Sequence, residues 1–255
     1  MGWQDRFSLK GRKALITGAS KGIGAEIAAV FAEAGADIVA LGRDRNGLAS
    51  TAAAVRAQGR QCLTLLAEMA SPTEPVAACE RALAQWGTID ILVNSAGIAS
   101  VAPAIDLAIE DWDRMMAVNL RAPFLTARTL APAMIAQRWG KVINISSQTG
   151  VVALDDHAAY AASKGGLNAL TKSLCAEWAR HNVQVNAICP TVVMTPMGQQ
   201  LWGSSAKGDP FRNATPARRF AEPVEVADAA LYLASDASSM VNGALLMVEG
   251  GFTSV

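Results

Sequence analysis

Short runs of consecutive apolar residues recur along this chain, separated by longer stretches in which apolar positions return every three or four residues. The short runs are Lys13–Thr17, Asp37–Leu41, Cys62–Leu66, Ile89–Val93, Val142–Ile145, Val183–Ile188 and 244–248. Strands that are apolar nearly throughout are those covered on both faces, which is the habit of parallel sheets. Between them the spacing predicts helices from about Gly24 to Gly35, from Leu48 to Gln58, and over 74–86, 113–138, 158–180 and 225–235. This alternation predicts an α/β fold: a three-layer, doubly wound parallel sheet, Rossmann-like, forming one domain over 1–255. No internal repeat or Pro/Gly-rich linker divides the chain. The stretch least like regular structure is 191–216, punctuated by Gly198, Gly203, Gly208, Pro210 and Pro216, and it reads as a lid or binding loop.

Composition narrows the picture. At 255 residues, with 51% apolar and 17% charged, the chain has ample material for a large core. Lys+Arg and Asp+Glu number 22 each and cancel, so no basic field offers itself to a nucleic acid, and none is expected as a partner. Cys62, Cys79, Cys175 and Cys189 form no CxxC pair and read as buried thiols of a reducing compartment. The first residues carry no apolar leader and are expected to run directly into the first strand. No apolar run reaches the length of a membrane span, so the expectation is a cytoplasmic protein without membrane partners. With His157 and His181 the only histidines, a catalytic metal is not expected.

Two clusters of residues carry chemistry. The first is the turn Thr17-Gly18-Ala19-Ser20-Lys21-Gly22-Ile23-Gly24 between the first strand and helix. A sharp turn, close approach to a pyrophosphate and tight helix–strand packing each disfavour a Cβ, and the helix start offers free N–H groups to phosphates. Arg43, just after the second strand, stands where a 2′-phosphate needs a cationic fork, and Lys21 adds a second charge. NADP is therefore the expected cofactor; NAD stays open, with Asp44 as the alternative selector through the ribose diol. Glu68, after the third strand, is placed to reach the adenine, and Asn94-Ser-Ala96-Gly97 ends the fourth strand where small groups admit the cofactor.

The second cluster is Ser147, Tyr160 and Lys164. On a helix, Tyr160 and Lys164 share a face about 5–6 Å apart at Cβ. A cation beside a phenol favours the phenolate, so the tyrosine is expected to exchange a proton near neutral pH. Ser147 lies thirteen residues before Tyr160; its neighbour Ser146 is expected to be structural.

Together these motifs resemble the short-chain dehydrogenase/reductase family over nearly the whole chain. Thr17–Gly24 looks like its cofactor turn, Asn94–Gly97 is similar to its Asn-Asn-Ala-Gly element, and Asn119, Ser147, Tyr160 and Lys164 match its catalytic tetrad in order and spacing. The resemblance implies hydride transfer between a nicotinamide cofactor and a small alcohol or ketone. It also implies that Asn119 positions Lys164 through a water, that Lys164 holds the nicotinamide ribose, and that Pro190 and Thr195 belong to the segment closing on the nicotinamide. Three positions depart from the pattern: Ser95 for the second Asn, Glu68 for an Asp, and Thr191 where Gly is usual.

Gln148, Asp155, Asp156 and His157 lie between Ser147 and Tyr160, where polar groups suit a polyhydroxylated substrate. Phe7–Gly11, Leu41–Asp44, Ala176–Ala179 and Glu249–Val255 look like gluconate 5-dehydrogenases and related sugar or polyol dehydrogenases within the family. A 3-oxoacyl-carrier-protein or small-ketone reductase and a non-catalytic NADP-binding regulator stay open as alternatives. Helices 113–138 and 158–180 carry apolar residues on more than one face, including Phe124 and Leu170. With the family's habit, this implies a homotetramer or homodimer.

Overall fold

The computed structural model describes residues 2–255. Its strands are β1 (Lys13–Thr17), β2 (Asp37–Gly42), β3 (Cys62–Leu66), β4 (Ile91–Asn94), β5 (Gly140–Ile145), β6 (Val183–Pro190) and β7 (Leu245–Val248). They form one parallel sheet in the order β3-β2-β1-β4-β5-β6-β7. The order reverses between β1 and β4, and that switch point places a crevice at the carboxyl ends of both strands.

Alternation along each strand sends side chains to two apolar layers. In β1, Ala14 and Ile16 join the layer containing Ile27 and Phe31 of α2 (Gly22–Glu33), Leu48 and Val55 of α3 (Arg45–Ala57), and Val226 and Leu233 of α10 (Pro223–Ala234). Leu15 faces the opposite layer, with Cys79 and Ala82 of α4 (Glu74–Trp86), Leu130 and Met134 of α6 (Ala122–Ala136), and Leu174 of α7 (Ala158–Trp178). A polar ladder crosses this second layer: Thr126 Oγ1 donates to Asn94 Oδ1 (2.7 Å), Asn94 Nδ2 to Asn144 Oδ1 (2.9 Å), and Asn144 Nδ2 to Thr171 Oγ1 (2.9 Å).

Three expectations are corrected. The chain does not run directly into β1, because α1 (Trp3–Phe7) comes first and brings Phe7 to 6.3 Å from Tyr232, ring to ring. The helix expected over 113–138 is instead α5 (Ile109–Met116), a π-helical turn at Ala117–Arg121, and α6. Pro123, which has no N–H to return to the Asn119 carbonyl four residues back, follows directly after the widened turn. The 191–216 stretch carries α8 (Pro196–Trp202) and α9 (Ser205–Ala214). Thr195 caps α8 through Gly198 N–H (3.2 Å), with Pro196 at the first helical position, a start signal masked by the surrounding glycines.

No helix among the described residues is long and apolar enough to cross a membrane. Nor do they contain a group of three or more His, Cys, Asp or Glu side chains placed to hold a metal ion.

Candidate active site

The crevice at the switch point is a cleft of about 610 Å³. One wall is the glycine turn. Gly18 has φ +69°, and a Cβ there would stand 2.8 Å from the Ala96 main chain; one on Gly24 would stand 2.5 Å from Gly18 O. Thr17 Oγ1 accepts from Ser95 and Ala96 N–H (3.1 Å each), stitching the exits of β1 and β4 together. Because α2 begins at Gly22, the N–H groups around Gly22, Ile23 and Gly24 form the first turn of a helix that opens on the cleft, beside Ser20 and Lys21. This cradle, and the space that any Cβ on it would fill, fit a dinucleotide pyrophosphate.

Farther out, Arg43 and Glu68 line the same cleft and bond each other, Arg43 Nη1 donating to Glu68 Oε2 (2.8 Å). Glu68 thus meets Arg43 where the sequence placed it beside adenine. Asp44 also lines the cleft, and its Oδ1 accepts from Asn46 and Gly47 N–H (3.0 and 3.2 Å) and caps α3. Asn94 is also corrected. Its amide is spent in the polar ladder between β4, β5 and α6, and Ala96 and Gly97 line the cleft there instead.

The second wall joins β5, the π-turn and α7. Ser147 follows β5, Tyr160 and Lys164 sit on one face of α7, and all three line the cleft with Pro190 and Thr195 from the far side of β6. Lys164 is buried and donates from Nζ to Ile145 O (2.8 Å), with Nζ 5.7 Å from the Tyr160 ring centre. Burial lowers the Lys164 pKa to about 8. The Tyr160 pKa is raised, since loss of solvent outweighs the hydrogen bond of the Ser147 hydroxyl. Burial thus disfavours the phenolate and the ammonium alike.

Asn119 is fully buried in the π-turn. Its amide pairs with the Ile98 main chain like a strand partner: Oδ1 accepts from Ile98 N–H and Nδ2 donates to Ile98 O (2.9 Å each), with a further bond to Ser163 Oγ (3.1 Å). A Cβ on Gly97 would lie 3.5 Å from Asn119 Oδ1 and 3.6 Å from Lys164 Nζ, so the glycine keeps open the space between them. Ser146 has the structural place expected of it, its Oγ bonded to Asn168 Oδ1 (2.7 Å).

Two buried side-chain oxygens among the described residues have no partner, Gln148 Oε1 and Thr191 Oγ1, and both residues line the cleft. His157 lines it too. Its Nδ1 bonds Asp155 O. Asp155 and Asp156 are exposed. Sequence reasoning passed over the aromatic wall: His157 stacks near Trp202 of α8 (6.1 Å), which packs on Phe211 of α9 (4.8 Å), itself stacked on Phe252 (4.8 Å). The available signal was two large aromatics inside a stretch otherwise polar and glycine-rich.

A family model described as Enoyl-(Acyl carrier protein) reductase matches residues 18–253. D-Threitol dehydrogenase of Mycolicibacterium smegmatis is 42% identical over 247 residues, covering 97% of this chain and 95% of that one. An NAD-dependent glycerol dehydrogenase of Listeria innocua is 39% identical over 252 residues, covering 99% and 98%. The crystal structure of a gluconate 5-dehydrogenase from Burkholderia cenocepacia, in complex with NADP and tartrate, superposes with a TM-score of 0.95 at 41% identity over 100% of both chains.

Proposed function

The chain belongs to the short-chain dehydrogenase/reductase family and is an NAD(P)-dependent oxidoreductase; we propose that it prefers NADP and interconverts the alcohol and ketone of a sugar acid, keto-sugar or polyol. Support for the cofactor comes from Arg43 and Lys21 in the cleft and from a relative that binds NADP. Support for the substrate class rests on one observation above all: Gln148 Oε1 is a buried acceptor without a partner, beside Ser147. A site with an unmet acceptor favours a ligand that brings hydroxyl groups and rejects one that does not. The relatives named for threitol, glycerol and gluconate act on compounds of this kind.

The bound nucleotide supplies or accepts the hydride. Everything else falls to the chain's own residues. Ser147 Oγ donates to the substrate oxygen, and Tyr160 Oη gives that oxygen its proton in reduction or takes it back in oxidation. Lys164, fixed by Ile145 O, places its ammonium beneath the phenol. Asn119 fixes the 95–98 segment that forms the floor of the cleft. Between α5, α6 and α7 an outer groove exposes Phe124 beside Leu120, Arg121 and Leu170. We read this face as the seam of a homotetramer or homodimer, to be measured by light scattering.

The test is nicotinamide absorbance with polyols, keto-sugars, sugar acids and an acyl thioester, each with NADPH/NADP and NADH/NAD. Turnover of a polyhydroxylated compound with the phosphorylated cofactor is the expected result. Faster turnover of the acyl thioester would overturn the substrate class, and preference for the unphosphorylated cofactor would overturn the nucleotide assignment.

A further inference from the structure

β2 and β3 run side by side with Gly42 opposite Leu66, so the residues leaving them emerge together at the rim of the cleft. Arg43 and Glu68 are those residues, and they form an ion pair there. Glu68 is not held by Arg43 alone. Its Oε1 accepts from Ala70 N–H (3.1 Å), and its own N–H donates to Glu74 Oε2 (2.8 Å). The carboxylate is therefore fixed in the turn after β3, and Arg43 comes to it.

Among the described residues Arg43 makes its one ion pair with Glu68. Asp44 caps α3 through Oδ1, and the capped turn is wedged against the glycine turn, since a Cβ on Gly47 would stand 2.4 Å from Ser20 O. The one guanidinium placed for a 2′-phosphate is thus neutralised by a carboxylate that belongs to the site. The pair is half-exposed, 54% for Arg43 and 36% for Glu68, and makes a single short contact. Such a pair is held weakly. A phosphate that offers two oxygens to the guanidinium can replace it.

We propose that Glu68 tunes cofactor choice by competing with the 2′-phosphate for Arg43. With a nucleotide that lacks the phosphate, Glu68 keeps Arg43 paired, so that the ribose diol meets a paired guanidinium instead of a bare one. With the phosphate present, Arg43 is shared between the phosphate and Glu68, and the carboxylate's charge beside the phosphate offsets part of its advantage. The residue narrows the preference for NADP and leaves NAD usable. This rests on the nucleotide-site reading above.

Binding of NADPH and NADH is titrated separately by nucleotide fluorescence, with 2′-AMP and 5′-AMP as competing probes of the phosphate alone. Glu68→Gln keeps an acceptor for Ala70 N–H and removes the charge. It should tighten NADPH and 2′-AMP by about three- to tenfold, the scale of a screened ion pair and a relieved like-charge contact, while NADH moves by less than about twofold. In an Arg43→Leu background the gain should fall below about twofold, because Glu68 acts through Arg43. An equal shift for both nucleotides, or a gain that survives the loss of Arg43, would overturn the proposal while leaving the nucleotide site in place. If the wild-type chain bound neither nucleotide, the site reading would fall and the proposal with it.

Discussion

Replacing Asn119 by Ala tests whether its amide works as a main-chain surrogate. The side chain is fully buried and completes two hydrogen bonds of 2.9 Å to Ile98, donor to acceptor and acceptor to donor, plus one of 3.1 Å to Ser163 Oγ. Alanine leaves the Ile98 N–H and C=O without partners. Ser163 loses less, since its hydroxyl still donates to Tyr160 O (2.8 Å). A buried group stripped of its partner costs about 1–3 kcal/mol, and Ile98 is only partly buried, so the two together should cost about 2–4 kcal/mol. For a chain of this size each kcal/mol moves Tm by about 2–4 °C, giving a drop of about 5–15 °C in a thermal scan. Slackening of the 95–98 segment should also weaken nucleotide binding, read by fluorescence titration. A variant melting within about 2 °C of wild type would refute the surrogate role.

Three further outcomes follow from the same geometry. Tyr160→Phe removes the hydroxyl assigned to proton transfer; turnover should fall by about 100- to 10,000-fold while nucleotide affinity and Tm hold, and a loss under tenfold would sink the assignment. Gly18→Ala forces a Cβ into a residue at φ +69° and to 2.8 Å from the Ala96 main chain, so we expect a loss of about 2 kcal/mol or more in denaturant titration, and an unchanged midpoint would contradict the turn. Lys164 titrates at about 8 when folded and about 10.4 when unfolded, so the unfolded chain binds more protons between those values. Stability carried by this group therefore rises with pH across that window and its penalty is complete below it, so the advantage of Lys164→Met over wild type should shrink by about 2 kcal/mol from about pH 7.5 to about pH 10. Comparing the two chains cancels the opposite trend of buried thiols such as Cys79, held up at about 12.

The strands and most helices were legible because each apolar run had to be buried on both faces, a demand that leaves few other readings. The 74–86 helix, for instance, coincides with α4 residue for residue at its ends. What failed did so where local geometry departed from a regular period. The expected helix widens into a π-turn just before Pro123, and Asn119 in that turn bonds Ile98. α8 and α9 were hidden by glycines and prolines that read as loop, although Thr195-Pro196 is a cap followed by a helix-starting proline. Motif spacing gathered Ser147, Tyr160 and Lys164 into one cleft but could not say that Asn94 turns inward, because which side of a strand end a side chain takes depends on the partners Asn144 and Thr126 supply. Ionisation was the least legible, since a sequence shows which charges are neighbours but not how much water they lose.

That last point bears on direction. With its pKa raised, Tyr160 is a phenol at neutral pH, and a phenol is already in the form that gives a proton to a ketone oxygen being reduced. Oxidation needs the opposite form, and the cation meant to favour it is itself discouraged by burial and tied to Ile145 O. Reduction should proceed across the neutral range while oxidation gains as pH rises toward about 8, where Lys164 begins to lose its proton. Steady-state kcat/KM measured in both directions against pH would expose the asymmetry, and parallel profiles would show that the ligands, not the burial of Tyr160, set its proton affinity.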